Sequence, residues 1–296
     1  MNKIRIAICL SGEPRYWERA AKTIHNFIYD DEQNICQVDI FYHFWDNITK
    51  RQSELISDPV IEIVDKNKLK KYFTPTVGVC ESKDNLNEHI KVAWDYIQKI
   101  KQENDAQSEP TNTNKELFSQ LVKTTNKPPF SQLISMCKSI QLMADYAEQN
   151  NIYYDIVIRT RSDIEILKTS IVKIQSLVTK NKLSRYIRFP AISIRSSRNI
   201  TYNPFVEYCF FMSSSKIINN NLINNYTERI CKLLFAVKPK TKQKPKIGYV
   251  SSHNVVPLLF KGNDKIELGA GLLCFQYKLY QIPRKTAEYP RHKIDI

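Results

Sequence analysis

The 296-residue chain has little glycine and lacks the short motifs that identify several common protein classes. It has six glycines, and none of them forms a G-x-G-x-x-G or P-loop motif, so the dinucleotide and NTPase fingerprints are absent. None of the seven cysteines forms a C-x-x-C pair, which argues against a zinc site or a disulfide framework and favours reduced thiols. Long hydrophobic runs are also missing. We therefore predict neither a signal peptide nor a transmembrane segment, and we expect a cytoplasmic protein.

The charge of the chain is strongly positive, with a formal net charge of +14. Such an excess predicts an anionic partner, and nucleotides, nucleic acids and membrane surfaces all qualify. Residues 238–246 alternate five lysines with proline or polar residues, so we expect an extended, solvated segment. Such segments are usually plain loops, but this one would also suit peripheral contact with anionic lipid or a charged acceptor.

Predicted strands and helices alternate through the first half of the chain, which is typical of an α/β fold with a mostly parallel sheet flanked by helices. We treat residues 1–296 as one domain, with a nucleotide-binding half at 1–166, an acceptor-side half at 167–296 and a mobile polar excursion at 102–129. The predicted strands are 4–10, 38–45, 60–64, 77–81 and 156–158, and the predicted helices are 16–29, 67–72, 88–101 and 130–149.

The segment 154–166 is the most informative part of the sequence, because an apolar strand is followed at once by four charged residues. Asp163 and Glu165 are two positions apart, so in an extended chain both carboxylates face one side and would suit Mn²⁺ or Mg²⁺. Arg159 and Arg161 alternate in the same way and would offer bidentate donors to phosphate. Ordinary salt bridges at the sheet edge explain the pattern equally well from spacing alone.

The first predicted strand ends in a small-residue turn before a helix, a geometry that favours the approach of a phosphate. Gly12 would let the backbone come close to a ligand, although an ordinary strand-to-helix turn is the simpler interpretation of this stretch alone. His43 and the aromatic residues beside it are typical of a sheet core. Gln132, Ser135 and Lys138 lie on or beside the last of the predicted helices and could face a ligand, although a solvated helix face is the simpler interpretation.

Three motifs occur in this order: Ser-Gly-x-x-Arg at 11–15, Asp-Ile-Phe-x-His-x-Trp-Asp at 39–46, and Tyr-Asp-Ile-Val-Ile-Arg-Thr-Arg-Ser-Asp at 154–163. Together they resemble microbial and large-virus glycosyltransferase-like proteins of the GT-A type. The resemblance covers the amino-terminal half and the strand near Glu207. It implies a GT-A-like, Rossmann-like fold and an enzyme that transfers a sugar from a UDP- or GDP-sugar to a glycan or other hydroxyl acceptor.

The resemblance also implies roles for individual residues. Ser11, Gly12 and Arg15 would lie against the nucleotide. Asp163 and Glu165 match the acidic motif that binds metal and diphosphate, so Asp163 is also a predicted catalytic residue. Because Glu165 replaces the second aspartate of that motif, Arg159 or Arg161 would be the alternative source of positive charge. Glu207 would be the general base that deprotonates the acceptor hydroxyl.

Two other functions remain open at this point. A metal-dependent nuclease or other phosphoryl-transfer enzyme would use Asp163 and Glu165, but the E-x-K spacing common in such nucleases is missing and no base-reading helix is evident, so we expect no nucleic-acid partner. A non-catalytic nucleotide- or glycan-binding protein would keep the sheet without turnover. The sequence leaves the oligomeric state open.

Overall fold

A computed structural model describes the amino-terminal half of the chain most completely. The described residues are 3–15, 17–18, 21–22, 24–25, 35–50, 60–105, 128–162, 164–165, 186–189, 192–195, 200–203, 211–216, 218, 225–228, 230, 235–237, 247–249, 267–270, 278–281 and 294–295. Asp163, Glu207 and the lysine-rich segment 238–246 lie outside them, and so does 106–127 of the predicted excursion.

Strands and helices alternate along the first half. Their order is β1 (Ile4–Gly12), β2 (Cys36–Trp45), β3 (Asn47–Lys50), β4 (Val60–Ile63), α1 (Lys66–Phe73), β5 (Val77–Glu81), a 3₁₀ turn (Lys83–Asn85), α2 (Leu86–Asp105), α3 (Pro128–Gln149), β6 (Ile156–Arg161) and β7 (Ile164–Glu165). The described residues between 17 and 25 are also helical.

Short strands make up most of what is described in the second half. They are β8 (Tyr186–Phe189), β9 (Ile192–Arg195), β10 (Ile200–Asn203), β11 (Phe211–Ser213), β12 (Phe235–Val237), β13 (Ile247–Tyr249), β14 (Glu267–Ala270), β15 (Lys278–Gln281) and β16 (Ile294–Asp295). Three of these, β8, β11 and β14, join the large sheet.

The large sheet has seven strands in the order β14-β8-β11-β6-β1-β2-β5. Four neighbouring strands, β6, β1, β2 and β5, are all parallel, whereas β11 is antiparallel to both of its neighbours. From β1 the chain proceeds outward through β2 to β5 and then returns to place β6 on the other side of β1. The gap between the carboxyl ends of β1 and β6 is therefore a topological switch point, where open α/β sheets bind their ligands.

Helices cover both faces of the parallel strands, which explains why β1 and β2 are apolar on both sides. Alternate residues of β1 face opposite cores: Ala7 and Cys9 pack with α3 and α2, whereas Ile6 and Ile8 pack with α1 and the helical residues near Trp17. The α/β fold with a mixed, mostly parallel sheet flanked by helices is thus confirmed.

Helix α3 runs opposite to the strands, because only residues 150–155 connect its last turn to the start of β6. Its amino-terminal turns therefore lie at the carboxyl edge of the sheet. The Trp45 indole at the end of β2 donates to the Ser131 carbonyl at 3.1 Å, which fixes this placement. Apolar side chains of α3 fill the core below, and they are Phe130, Leu133, Ile134, Met136, Cys137, Ile140 and Met143.

The predicted elements of the first half agree with the structure apart from their ends. Helix α2 extends to Asp105 and α3 begins at Pro128, so both helices continue into the segment that was predicted as an excursion at 102–129. Within the described residues, Cys9, Cys36, Cys80 and Cys137 form no disulfide bond. No helix in this part of the chain has the length and apolar character needed to cross a membrane.

We predict that Gly78→Ala destabilises the protein by about 2 kcal/mol through overpacking. An added Cβ would lie 2.4 Å from Cζ of Tyr42. That ring cannot move freely, because it is buried, stacked on Phe44 and packed against Phe73. The free energy of unfolding in urea measures the effect.

The matched control is Gly78→Ala made in a Tyr42→Leu background. Leucine in place of Tyr42 removes the ring atoms that the new methyl group would meet, so Gly78→Ala should cost much less when combined with Tyr42→Leu. An equal cost in both backgrounds would contradict the proposed clash.

Candidate functional site at the carboxyl edge of the sheet

Polar and charged side chains collect on one face of the sheet, at the carboxyl ends of the parallel strands. Alternation along each strand sends Ser11, His43 and Arg159 toward α3, on the same side as the buried residues Cys9, Phe41 and Val157. Each polar residue lies one step beyond an apolar residue on the same face of its strand. The core of the sheet is therefore apolar, and polar side chains begin only near its carboxyl edge.

Arg159 and Ser11 meet at the switch point. The guanidinium Nη2 of Arg159 donates to the Ser11 hydroxyl at 2.6 Å, and both residues are almost completely buried. Arg161, opposite Ser11 in the register of β1 and β6, is half-buried. Because a guanidinium stays protonated, this end of β6 carries two positively charged side chains.

Gly12 ends β1 with a backbone conformation that other residues rarely adopt. Its φ of +105° requires glycine, although a Cβ at this position would meet nothing within 4 Å. Backbone conformation rather than crowding therefore selects glycine here. The Gly12 turn itself is buried.

Glu13 links the ends of three strands. Its carboxylate accepts from the Arg15 guanidinium at 3.0 Å and from Lys83, just beyond β5, at 2.9 Å. Its backbone carbonyl accepts from the hydroxyl of Ser162, just beyond β6, at 3.2 Å. Although burial opposes ionisation, the neighbouring Lys83 and Arg15 hold the pKa of Glu13 below its usual value.

A second polar cluster connects α3 to the ends of β1, β2 and β5. The Gly12 backbone N–H donates to the Ser135 hydroxyl at 2.7 Å, and that hydroxyl lies 2.9 Å from Nδ1 of His43. His43 Nε2 lies 2.7 Å from Glu81, which also accepts from Lys138. We define Ser135, His43, Glu81 and Lys138 as the α3 polar cluster.

The protonation of the α3 polar cluster follows from its neighbours. The His43 hydrogen bond, together with Lys138 and Asn85, lowers the pKa of Glu81 to about 2. Burial lowers the pKa of His43, so its ring is neutral at pH 7. Nε2–H must then donate to the Glu81 carboxylate, and Nδ1 and the His43 backbone oxygen compete for the single proton of the Ser135 hydroxyl.

A serine that contacts a histidine, which in turn contacts a carboxylate, is also the arrangement that activates a serine nucleophile in enzymes. Ser135 is 0% exposed and His43 is 1% exposed, so no substrate carbonyl reaches the hydroxyl. The Ser135 hydroxyl also accepts from the Gly12 N–H and lies 2.7 Å from the His43 backbone oxygen. We therefore interpret the cluster as a support for the Gly12 turn.

His89 lies on α2 near the α3 polar cluster. Its Nδ1 is 2.8 Å from the Thr227 hydroxyl, and its ring packs against Tyr226. Burial, followed by the positive charge of Lys138, lowers the pKa of His89 to about 4. His43 and His89, both neutral at pH 7, thus lie close to Lys138 and Glu81.

The structure brings together five of the predicted site residues: Ser11, Gly12, Arg15, Arg159 and Arg161 all lie at the carboxyl ends of β1 and β6. Glu165 pairs with Tyr280 in β15, in a small sheet separate from the large one. The predictions for Asp163 and Glu207 fall on residues outside the described ranges.

Sequence reasoning missed several residues of this edge and misjudged one of them. Glu13, Lys83 and Glu81 each follow or end a strand, which is the signal that could have identified them. The prediction that Ser135 lies on a solvated face is wrong, because it is completely buried. His43 is confirmed as a satisfied histidine, since both of its ring nitrogens have partners.

Among the described side chains, no group of three or more His, Cys, Asp and Glu residues is arranged to hold a metal ion. In comparisons with known proteins, no protein-family model, no curated protein and no solved structure matches the chain. Functional inference therefore depends on the geometry of this edge.

We predict that Ser135→Ala destabilises the protein by about 1–3 kcal/mol, because a buried N–H of Gly12 loses its acceptor. Ser139→Ala is the matched control, since Ser139 is also buried on α3 but bonds only the Met136 carbonyl of its own helix. Urea unfolding compares the two variants. Equal losses of stability would contradict a specific role for Ser135.

We predict that stability falls as the pH drops from 6.5 toward 4, and that His89 contributes about 1 kcal/mol of this loss between pH 7 and 5. The unfolded chain protonates this histidine near pH 6.5, whereas the folded chain resists until about pH 4. Urea unfolding at pH 7 and 5 should show a smaller pH dependence for His89→Gln. His25→Gln is the control outside the cluster, and an unchanged slope in His89→Gln would overturn the assignment.

Proposed function

We propose that the chain is a GT-A-type glycosyltransferase that binds a UDP- or GDP-sugar at the switch point between β1 and β6 and transfers the sugar to a hydroxyl acceptor, such as that of a glycan. One observation carries the proposal: the buried Arg159 contacts Ser11 beside the Gly12 turn, with Arg161 next to them. A positive charge, a small hydroxyl side chain and a glycine turn at a sheet's carboxyl edge fit a phosphate-bearing ligand.

The chemistry of sugar transfer explains why positive charge would be needed at this point. As the bond from the sugar to the diphosphate breaks, negative charge accumulates on the leaving phosphate oxygens. The half-buried guanidinium of Arg161 would bind those oxygens and stabilise the charge. Arg159 would add to the local potential while it orients Ser11.

A divalent cation would supply the same kind of stabilisation when it is bound. The described carboxylates of this edge do not fit such an ion, because Glu13 accepts from Arg15 and Lys83, and Glu81 accepts from Lys138. Asp163 and Glu165 stay predictions as metal ligands, and Glu207 stays a prediction as the general base.

A non-catalytic nucleotide-binding protein is the second candidate. It is favoured by the Glu81 carboxylate, the acidic group of the α3 polar cluster. Its hydrogen bonds to His43, Lys138 and Asn85 hold its pKa near 2, so it is a poor proton acceptor for an acceptor hydroxyl. Hydrolysis or transfer of the sugar separates an enzyme from a binding protein.

We predict that a nucleotide with its matching sugar stabilises the purified chain by about 2.7 kcal/mol at a hundredfold excess over its dissociation constant. The measurement is a thermal shift with UDP, GDP, CMP and their sugars, with and without Mn²⁺. Arg161→Met should weaken binding by about tenfold, because it removes a charge-assisted contact. Asp163→Ala should abolish any part of the shift that needs Mn²⁺.

The matched control is Arg5→Met, which removes an arginine from β1 near the amino edge of the same sheet. It should leave nucleotide affinity within about twofold, since charges this far apart in water are largely screened. Binding of DNA or RNA without any nucleotide-dependent shift would overturn the proposal and favour a nuclease. Equal weakening by Arg5→Met and Arg161→Met would place the nucleotide elsewhere.

A further inference from the structure

The arrangement of Glu13, Arg15 and Lys83 suggests more than a surface salt bridge. Arg15 follows β1 and Lys83 follows β5, and β2 lies between these two strands in the sheet. The Glu13 carboxylate accepts hydrogen bonds from both cations and so holds them together. The side chain of Glu13 is 13% exposed, whereas those of Arg15 and Lys83 are 19% and 28% exposed. All three are therefore within reach of a ligand that enters from the solvent.

The balance of charge around Glu13 favours an incoming anion. Glu13 is one carboxylate between two cations, and Arg159 and Arg161 lie at the next strand end on the same edge. A phosphate group carries more negative charge than a carboxylate and offers three acceptor oxygens. Arginine and lysine are the usual protein partners of phosphate, so both cations here suit the same ligand.

We propose that Arg15 and Lys83 form the phosphate-binding pair of this site, and that Glu13 is an internal counterion which a phosphate of the ligand displaces. This inference rests on the proposed function for the identity of the nucleotide, but the pair would bind any accessible phosphate. Glu13 keeps two cations close together in the ligand-free protein. It thereby organises the pair while it competes with the ligand for the same donors.

The counterion role predicts an unusual direction of change: removal of an acidic residue from a binding site should tighten binding. Glutamine at position 13 keeps the size of the side chain and one acceptor oxygen but loses the charge. We expect Glu13→Gln to bind inorganic pyrophosphate about tenfold more tightly than the wild type, and Lys83→Met to bind it about tenfold more weakly. Isothermal titration calorimetry of the full chain measures both.

A double-mutant cycle separates displacement from a general change in charge. If Glu13 competes for Lys83, the gain from Glu13→Gln should shrink to less than threefold when Lys83→Met is also present. Glu18→Gln is the matched control, because Glu18 is an exposed helical residue with the same change in charge. It should alter pyrophosphate affinity by less than twofold, and circular dichroism should show that each variant is folded.

The results distinguish this inference from the proposed function. Weaker or unchanged pyrophosphate binding in Glu13→Gln, or the same gain in Glu18→Gln, would overturn the counterion role even if the wild type binds UDP or GDP. A gain in Glu13→Gln that depends on Lys83 would support the counterion role even if no nucleotide sugar binds. In that second case the glycosyltransferase proposal fails and the phosphate site remains.

Discussion

The hydrogen bond from the Gly12 backbone to the Ser135 hydroxyl is the constraint on which the carboxyl edge depends. It joins a strand turn to the helix packed beneath it, in a place where water cannot substitute for either partner. Ser135 is held in turn by His43, and His43 by Glu81. Because every group in this chain of contacts is buried or half-buried, the position of the turn is set by helix α3 as much as by β1.

The site therefore has two layers with different tasks. The lower layer is the α3 polar cluster, in which Ser135 and His43 are buried, Glu81 and Lys138 are half-buried, and the side chains bond one another. The upper layer contains Glu13, Arg15, Lys83 and Arg161, whose side chains reach the solvent. A rigid lower layer and an accessible upper layer suit a site that must present charges at fixed positions, since ordering them in advance reduces the entropy lost on binding.

The fold of the first half was predictable because its signals are local. The apolar runs of β1 and β6 and the apolar stripe of α3 can each be recognised within about a dozen residues. The order of strands and helices then implies a parallel sheet. The position of Ser11, Gly12, Arg159 and Arg161 near the strand ends was predictable for the same reason, since the apolar runs that mark the strands stop beside them. Their role in binding stays a prediction.

The lower layer could not be predicted, because its contacts join residues far apart in sequence. Ser135 and His43 are 92 positions apart, and Lys138 and Glu81 are 57 apart. On the helix pattern alone a serine and a lysine three positions apart indicate a solvated face, and only the depth at which α3 packs reveals that Ser135 is buried. The contacts of Glu13 likewise join three strand ends, which no single segment encodes.

The pairing of β1 with β6 has a consequence for how the chain is made. Ile6 lies opposite Ile156, so β1, an interior strand of the sheet, lacks one of its two partners until another 150 residues have been synthesised. Until then β1 and β2 can pair, but the other edge of β1 displays unpaired backbone groups on a strand that is apolar on both faces. Such an edge is a template for association with other nascent chains. Synthesis of this protein should therefore depend on chaperones that shield β1 until β6 emerges.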